Sequence, residues 1–132
     1  MVNGLHIGRS YRYSYNAIPT KGFWLLNGLK KYDFVTGKTQ TYMLPPGCYL
    51  SEAPFAQRRG ATEEDDGYLV TFLTNVNTGK GECAIFDARD ITKGPVARIM
   101  LPQQVPTGAH AFWATPAMLP GFEAGFETAL QR

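Results

Sequence analysis

At 132 residues the chain has the length of one ordinary domain and can bury a hydrophobic core. Its 44% hydrophobic and 18% charged residues exclude a disordered chain. The formal net charge of +2 is too small to attract nucleic acid or anionic lipid strongly, so no nucleic-acid partner is expected. Two short basic pairs, Lys30-Lys31 and Arg58-Arg59, are interpreted as solvated turn residues.

The sequence shows neither an export signal nor a membrane span. No charged stretch followed by an apolar run opens the chain, and no segment approaches the roughly 18 apolar residues of a spanning helix. Cys48 and Cys83 lie far apart and match no C-x-x-C spacing, so two reduced thiols are expected. These features together predict a cytoplasmic protein without a transmembrane segment.

The first half of the chain reads as a series of β-strands. Residues 11–15 alternate aromatic and polar side chains, which is typical of a strand with one buried face. A short apolar run at residues 23–26 precedes a predicted turn at Asn27-Gly28. Residues 29–34 and 39–44 then flank V-T-G-K, which predicts a hairpin.

The second half continues the pattern after a proline-rich stretch. Residues 44–55 contain three prolines, which predicts a loop or a strand broken by bends. Further strands are predicted at residues 68–73, 82–86 and 96–101, separated by the turn sequences N-T-G-K and K-G-P. Only residues 120–131 have helical character, and two glycines weaken it. The predicted fold class is therefore all-β with a short irregular or helical tail.

A short sequence pattern of strand, aspartate turn and strand occurs twice along the chain. The sequence K-Y-D at Lys31 to Asp33, followed by a glycine and a strand, returns as I-F-D at Ile85 to Asp87. The two aspartates are 54 positions apart (87 minus 33). A strand, aspartate turn and strand repeated at about 50 residues is the pattern of β-propeller blades.

His110 and Glu52 are the candidate metal-site residues. His110 precedes A-F-W on an apolar strand, where a histidine is either a packed residue or a ligand for iron or zinc. Glu52 is either a solvated loop glutamate or a carboxylate that accepts a hydrogen bond from a metal-bound imidazole and so fixes its orientation.

Other polar clusters are given structural interpretations. The acidic run at residues 63–66 lacks the alternating ligand spacing of calcium loops and is interpreted as a solvated turn. His6 lies near the N-terminus without a partner at ligand spacing and is interpreted as a surface residue. No phosphate-binding loop and no G-x-S-x-G nucleophile motif occurs in the sequence.

Several motifs, in order, resemble the carotenoid cleavage oxygenases, a family that includes the lignostilbene dioxygenases. They are G-R-S-Y-R-Y at residues 8–13, L-K-K-Y-D at 29–33, S-E-A-P-F at 51–55 and the segment from 62 to 113. This last segment joins an acidic turn, a strand, the D-A-R-D turn and G-A-H-A-F-W. The chain departs from the family pattern at Ala53, where a proline is usual.

The resemblance implies a seven-bladed β-propeller whose axis carries Fe(II) held by four histidines. Family members cleave a carbon–carbon double bond of a carotenoid, apocarotenoid or stilbene with O2. By position His110 resembles the last of the four ligands, and Glu52 resembles one of the glutamates that support them. The G-A-H-A-F-W ending is closer to the G-T-H-x-x-W form of stilbene-cleaving members, which favours a phenylpropanoid or apocarotenoid substrate.

The chain contains two histidines in total, whereas the family site needs four. The resemblance therefore implies a single C-terminal segment, residues 1–132, of about two propeller blades with no separate second domain. It leaves open whether the chain is an enzyme, and we expect the isolated chain to be inactive. The alternative is a non-catalytic β-module that associates with itself or another chain through exposed sheet edges.

Overall fold

The computed structural model describes residues 1–108, 110–115 and 118–119. Eight antiparallel strands and two short 3-10 helices, Gly4–His6 and Ile91–Lys93, make up the regular structure of this part of the chain. The strands are β1 (Tyr13–Pro19), β2 (Leu26–Asp33), β3 (Thr39–Met43), β4 (Cys48–Leu50), β5 (Phe55–Gln57), β6 (Gly67–Asn75), β7 (Lys80–Asp87) and β8 (Pro95–Met100). The all-β prediction is confirmed, while the tail predicted at residues 120–131 lies outside the described residues.

The strands form two consecutive meanders. The first is β1–β2–β3, and the second is β6–β7–β8 with β4 and β5 both paired to the free side of β6. The strands β4 and β5 thus act as one strand interrupted at residues 51–54, as the prolines predicted. The meanders are joined within the sheet by a single bridge between Leu26 and Leu50. Two successive antiparallel meanders are the arrangement of adjacent propeller blades.

The hydrophobic core lies between the two meanders. Leu29 of the first and Leu50, Leu69 and Phe86 of the second are fully buried in one cluster. An edge-on contact between the rings of Tyr42 and Phe86, with centroids 5.2 Å apart, crosses the same interface. The meanders therefore cover each other's apolar faces, which gives this small antiparallel sheet its hydrophobic core.

The turn predicted at Asn27-Gly28 is wrong, because both residues lie inside β2. The chain instead turns at residues 20–25. A Cβ on Gly28 would lie 2.7 Å from the Met43 sulfur and 2.8 Å from the Tyr42 carbonyl oxygen. The glycine is therefore required by the close approach of β3 rather than by a turn.

The repeated aspartates occupy equivalent positions in the two meanders. Asp33 ends β2 and Asp87 ends β7. In each case Oδ1 accepts a hydrogen bond from the backbone N–H two residues later, at 3.0 Å from Val35 and 2.9 Å from Arg89. The repeat seen in the sequence is thus a repeated turn that leads from the middle strand to the outer strand of each meander.

The acidic run at residues 63–66 is not a solvated turn. Glu64 accepts hydrogen bonds from the backbone N–H groups of Arg12 and Tyr13, at 2.9 and 2.8 Å. Asp65 accepts one from the Lys31 ammonium at 2.6 Å. These bonds fasten the loop between β5 and β6 to the first meander, so the run joins the two meanders electrostatically.

The basic pairs also differ from the prediction. The Lys31 side chain is 5% exposed and donates to the Arg89 carbonyl oxygen as well as to Asp65. Arg58 is half-buried and its Nε donates to Asp66 Oδ1 at 2.8 Å. The sequence spacing alone could not show this, since the carboxylate partners lie 34 and 8 positions away.

The two repeated aspartates should make stability depend on acidity. Arg12 holds the pKa of Asp33 well below its usual range, and Arg89 lowers the pKa of Asp87. A carboxyl group whose pKa is lower in the folded than in the unfolded protein stabilises the fold at pH values above its unfolded pKa of about 4. This stabilisation is lost as the pH falls through the pKa of the folded state. Denaturant unfolding at a series of pH values should show stability falling below about pH 4. Asp87→Asn should flatten that decline, and an unchanged profile would contradict the assignment.

Candidate metal centre

Glu52 lies in the interruption between β4 and β5. On either side the chain stays bonded to β6: the Ser51 N–H donates to the Phe72 carbonyl at 2.9 Å, and the Val70 N–H donates to the Pro54 carbonyl at 3.1 Å. Glu52 and Ala53, which lie between these bonds, do not pair with β6, and the Glu52 side chain is 29% exposed. The proline that ends the interruption explains this local break in the strand.

His110 follows β8, and the structure brings it to Glu52. The His110 Nδ1 lies 3.5 Å from Glu52 Oε1, and the imidazole is 93% exposed. The neighbouring backbone is fixed more tightly, since the Ala111 N–H donates to Glu52 Oε2 at 2.8 Å. One carboxylate therefore holds the segment that carries the histidine and also faces its ring.

This arrangement is suited to a metal-bound imidazole. A carboxylate that accepts the N–H of one ring nitrogen leaves the other nitrogen with its lone pair directed outward. The separation of 3.5 Å is longer than a hydrogen bond, so the ring must close on Glu52 by a few tenths of an ångström for that bond to form.

The described residues do not fit an iron ion by themselves. They contain no group of three or more histidine, cysteine, aspartate or glutamate side chains that could hold a metal. His110 and Glu52 amount to one ligand and its carboxylate partner, whereas stable binding of Fe(II) needs several convergent ligands. His6, the other histidine, instead makes a 3.3 Å contact from Nδ1 to the Ser10 carbonyl oxygen within its own turn.

The first residues of the chain pack beside Glu52. The Met1 amino group donates to the Tyr15 carbonyl at 2.6 Å, and the Tyr15 N–H donates back to the Met1 carbonyl at 2.7 Å. The Ala53 N–H points to the Met1 sulfur at 3.2 Å. Burial lowers the pKa of the Met1 amino group, and the charge of Glu52 opposes that effect. Met1 thus extends the free side of β1 and closes one flank of the site.

An apolar groove of about 660 Å³ opens next to this pair. One wall comes from the N-terminal residues and the other from the segment after His110; among the lining residues are Met1, Leu5, Ile7, Phe55, Phe112 and Trp113. Ala111, whose N–H binds Glu52, also lines it. The groove was not predicted from the sequence, although the F-W pair that begins two residues after His110 is a visible signal of apolar surface there.

The cysteines lie away from this site. Cys48 and Cys83 are both free thiols. Burial raises the pKa of Cys83, which makes it less reactive than an ordinary surface thiol at neutral pH. Within the described residues, no helix is long and apolar enough to cross a bilayer.

Comparison with known proteins supplies the family. The family model for the retinal pigment epithelial membrane protein matches residues 1–115. The chain is 38% identical over 133 aligned residues to carotenoid 9,10(9',10')-cleavage dioxygenase 1 of Pisum sativum, covering 89% of this chain and 24% of the relative. It is 26% identical to lignostilbene-alpha,beta-dioxygenase isozyme III of Sphingomonas paucimobilis, over 90% of this chain and 26% of the relative.

Solved structures agree with the fold. A variant of Synechocystis apocarotenoid oxygenase matches with a TM-score of 0.79 at 29% identity, over 86% of this chain and 24% of that one. The lignostilbene dioxygenase of Pseudomonas brassicacearum matches with a TM-score of 0.79 at 26% identity, over 86% and 26%. The chain thus spans about a quarter of the length of the relatives it matches, and its two meanders form part of their β-propeller. The chain belongs to the retinal pigment epithelial membrane protein family, the carotenoid cleavage oxygenases.

Proposed function

We propose that this chain is the C-terminal part of a non-haem Fe(II) dioxygenase that uses O2 to cleave a carbon–carbon double bond in a carotenoid, apocarotenoid or stilbene-type substrate. In this proposal His110 is one of the iron ligands and Glu52 is the carboxylate that orients it. The observation that carries the proposal is the placement of an exposed imidazole 3.5 Å from a carboxylate that also binds the next backbone N–H.

The electrostatics of the pair support these roles. A neutral imidazole binds a metal through one nitrogen, and a carboxylate partner at the other nitrogen keeps its proton there and raises the basicity of the ligand. The Ala111–Glu52 hydrogen bond fixes the backbone on one side of His110, so the ring has little freedom beyond rotation about its own side-chain bonds. Fe(II) would supply the activation of O2, which no side chain of this chain can provide.

The groove supports an apolar substrate. Its walls are mainly aliphatic and aromatic, and include Phe112 and Trp113, two and three residues after the candidate ligand in sequence. Burial of a polyene or stilbene against such walls is favourable because it removes apolar surface from water. The names of the relatives point the same way, since those proteins act on carotenoids and lignostilbenes.

A single imidazole does not retain iron, so the isolated chain should not cleave alkenes. With a stilbene and added Fe(II), oxygen uptake by the isolated chain should equal that of the His110→Ala variant. Uptake by the unmodified chain above that of the variant would show that the chain rebuilds a working site alone.

The direct test supplies the missing part of the propeller. The chain is co-expressed with the pea dioxygenase lacking its own matching quarter, and only complexes that co-purify are assayed for iron and for carbonyl products. We expect His110→Ala to abolish both, and Glu52→Gln to lower activity about 10- to 100-fold, as removal of such carboxylate partners typically does. His6→Ala is the matched control and should change neither. Iron and activity that survive His110→Ala in the complex would contradict the proposal.

A second candidate function is a non-catalytic β-module that self-associates or pairs with another chain. The face of the β6–β7–β8 meander turned away from the core is apolar, with Val70, Phe72, Ile85 and Ile99 among its side chains. The outer edge of β8 also has no strand partner among the described residues. Sedimentation over a range of dilutions tests this function, and a monomer at every concentration would contradict it.

A further inference from the structure

Two buried hydroxyl groups lie at the strand interruption that carries Glu52. Ser51 and Thr71 are 5% and 2% exposed, and their hydroxyl oxygens lie 3.3 Å apart. Ser51 directly precedes Glu52, and Thr71 lies in the middle of β6, the strand that both β4 and β5 join. A buried hydroxyl is stable only when it is hydrogen-bonded, so the bonding partners of these two groups define their role.

Ser51 replaces one backbone bond of the β-ladder with a side-chain bond. Its N–H donates to the Phe72 carbonyl at 2.9 Å, as in a regular strand pair. The return bond differs, because the Phe72 N–H donates to Ser51 Oγ at 3.2 Å, whereas a regular antiparallel pair would use the Ser51 carbonyl oxygen. That carbonyl oxygen instead accepts a hydrogen bond from Thr71 Oγ1 at 3.2 Å. The chain therefore leaves β6 at Ser51 with each of these polar groups bonded.

The bonds of the two hydroxyls fix the backbone on both sides of the Glu52 Cα. The peptide group before it is held by Thr71 through the Ser51 carbonyl. The peptide group after it is held through the Glu52 carbonyl, which accepts a hydrogen bond from Ser51 Oγ at 3.0 Å. Because peptide groups are planar, fixing both sets the direction in which the Glu52 side chain leaves the backbone. In that direction the carboxylate reaches the Ala111 N–H at 2.8 Å and faces His110 Nδ1 at 3.5 Å.

Ser51 also lies beside the segment that carries His110. A Cβ on Gly108, two residues before the histidine, would stand 4.0 Å from the Ser51 Cβ. On the other side of the histidine, the Ala111 N–H is bonded to Glu52. The segment thus approaches residues 51–52 both before and after His110, so the conformation at this interruption determines where the imidazole lies.

We propose that Ser51 and Thr71 are positioning residues for the pair formed by Glu52 and His110. The role of that pair at iron rests on the proposed function, whereas the positioning is a property of the chain without metal. Neither hydroxyl touches iron or substrate; they hold the backbone from which Glu52 reaches the segment of His110. An alkyl side chain in place of either hydroxyl would leave a buried backbone group without its partner and would release the peptide group that this hydroxyl fixes.

The first measurement uses the 132-residue chain without metal. The Ala111 amide donates to a carboxylate, so its NMR resonance should move when acid protonates Glu52. Thr71→Val, which replaces the hydroxyl by a methyl group, should remove most of this movement, and Thr71→Ser, which keeps the hydroxyl, should retain it. Ser51→Ala should give the same loss as Thr71→Val. Ser14→Ala is the matched control, because it removes another buried serine hydroxyl, in β1, and should leave the movement unchanged.

The second measurement uses the co-purified complex with the remaining part of the pea dioxygenase. Ser51→Ala should lower kcat about tenfold, the lower end of the range for groups that support a metal ligand. It should leave KM for the alkene unchanged, since neither Ser51 nor Thr71 lines the apolar groove. In the Glu52→Gln background Ser51→Ala should cause no further loss of kcat, because a residue that acts through the carboxylate then has nothing left to position.

Two results would overturn the proposal. The first is an Ala111 resonance that keeps its full acid-dependent movement in both Thr71→Val and Ser51→Ala. The second is an equal loss of kcat from Ser51→Ala with and without the Glu52 carboxylate, which would show a general loss of stability. If iron and activity survive His110→Ala, the proposed function fails by itself, because the Ala111 measurement needs neither iron nor turnover and still decides whether the hydroxyls position Glu52.

Discussion

Replacing Asp65 by alanine should lower the free energy of unfolding by about 3 kcal/mol, because it leaves the ammonium group of Lys31 buried without its carboxylate. The Lys31 side chain is 5% exposed, and its Nζ lies 2.6 Å from Asp65 Oδ2. The remaining contacts of that ammonium are the Arg89 carbonyl at 3.2 Å and the face of the Tyr13 ring at 4.2 Å. These stabilise a cation but do not neutralise it.

A double variant of Lys31 and Asp65 distinguishes the destabilisation caused by an unpaired buried charge from the stabilisation that the ion pair contributes. Lys31→Met in the Asp65→Ala background should recover most of the lost stability, since a buried ion pair can often be replaced by apolar side chains at little cost. Glu63→Ala is the matched control, because this exposed carboxylate of the same turn forms no side-chain hydrogen bond or ion pair with any described residue. Urea unfolding measures all three. A difference below about 0.5 kcal/mol between Asp65→Ala and the control would show that the pair does not hold the meanders together.

Truncating Phe86 to alanine should destabilise the fold by about 3–5 kcal/mol, the range for a large aromatic side chain in a core. Phe86 is fully buried, contacts the ring of Tyr42 across the interface and belongs to the cluster shared by both meanders. Its loss would open a cavity in the core that the two meanders share.

Phe72 on the neighbouring strand is the matched control for Phe86. It points to the opposite face of the same meander and is 44% exposed, so Phe72→Ala should cost less than about 1 kcal/mol. The comparison uses midpoints and slopes of denaturant unfolding, since an equal slope shows that both variants unfold from the same folded state. If the two variants cost the same, the outward face is covered in solution, which would favour the self-associating module over an isolated monomer.

The candidate site shows what sequence motifs can predict and what they cannot. Glu52 and His110 were identified separately, as a supporting carboxylate and a ligand, and the structure places them 3.5 Å apart. They are 58 positions apart (110 minus 52), with four strands between them, so no local pattern could predict this contact. Their roles at iron stay a prediction until the complex with the missing blades is assayed.

The acidic turn shows where sequence interpretation failed and why. A run of four carboxylates is usually solvated, because ions prefer water unless a partner is built for them. Here the partners are Arg12, Tyr13, Lys31 and Arg58, which lie in or directly before the first meander and directly after β5. Their approach depends on how the two meanders pack, and no spacing along the chain encodes that packing directly.

The sequence by itself determined the strand class, most strand positions, the repeated aspartate turns and the family, because alternation, turn residues and motif order are local properties. It misplaced the turn at Gly28, because a glycine needed for close approach of β3 has the same sequence signature as a glycine needed for a turn. Only the tertiary structure decided which charges are buried and that Glu52 anchors the segment of His110. Each of these depends on contacts between residues distant in sequence, and such contacts form only when the two meanders cover one another's apolar faces.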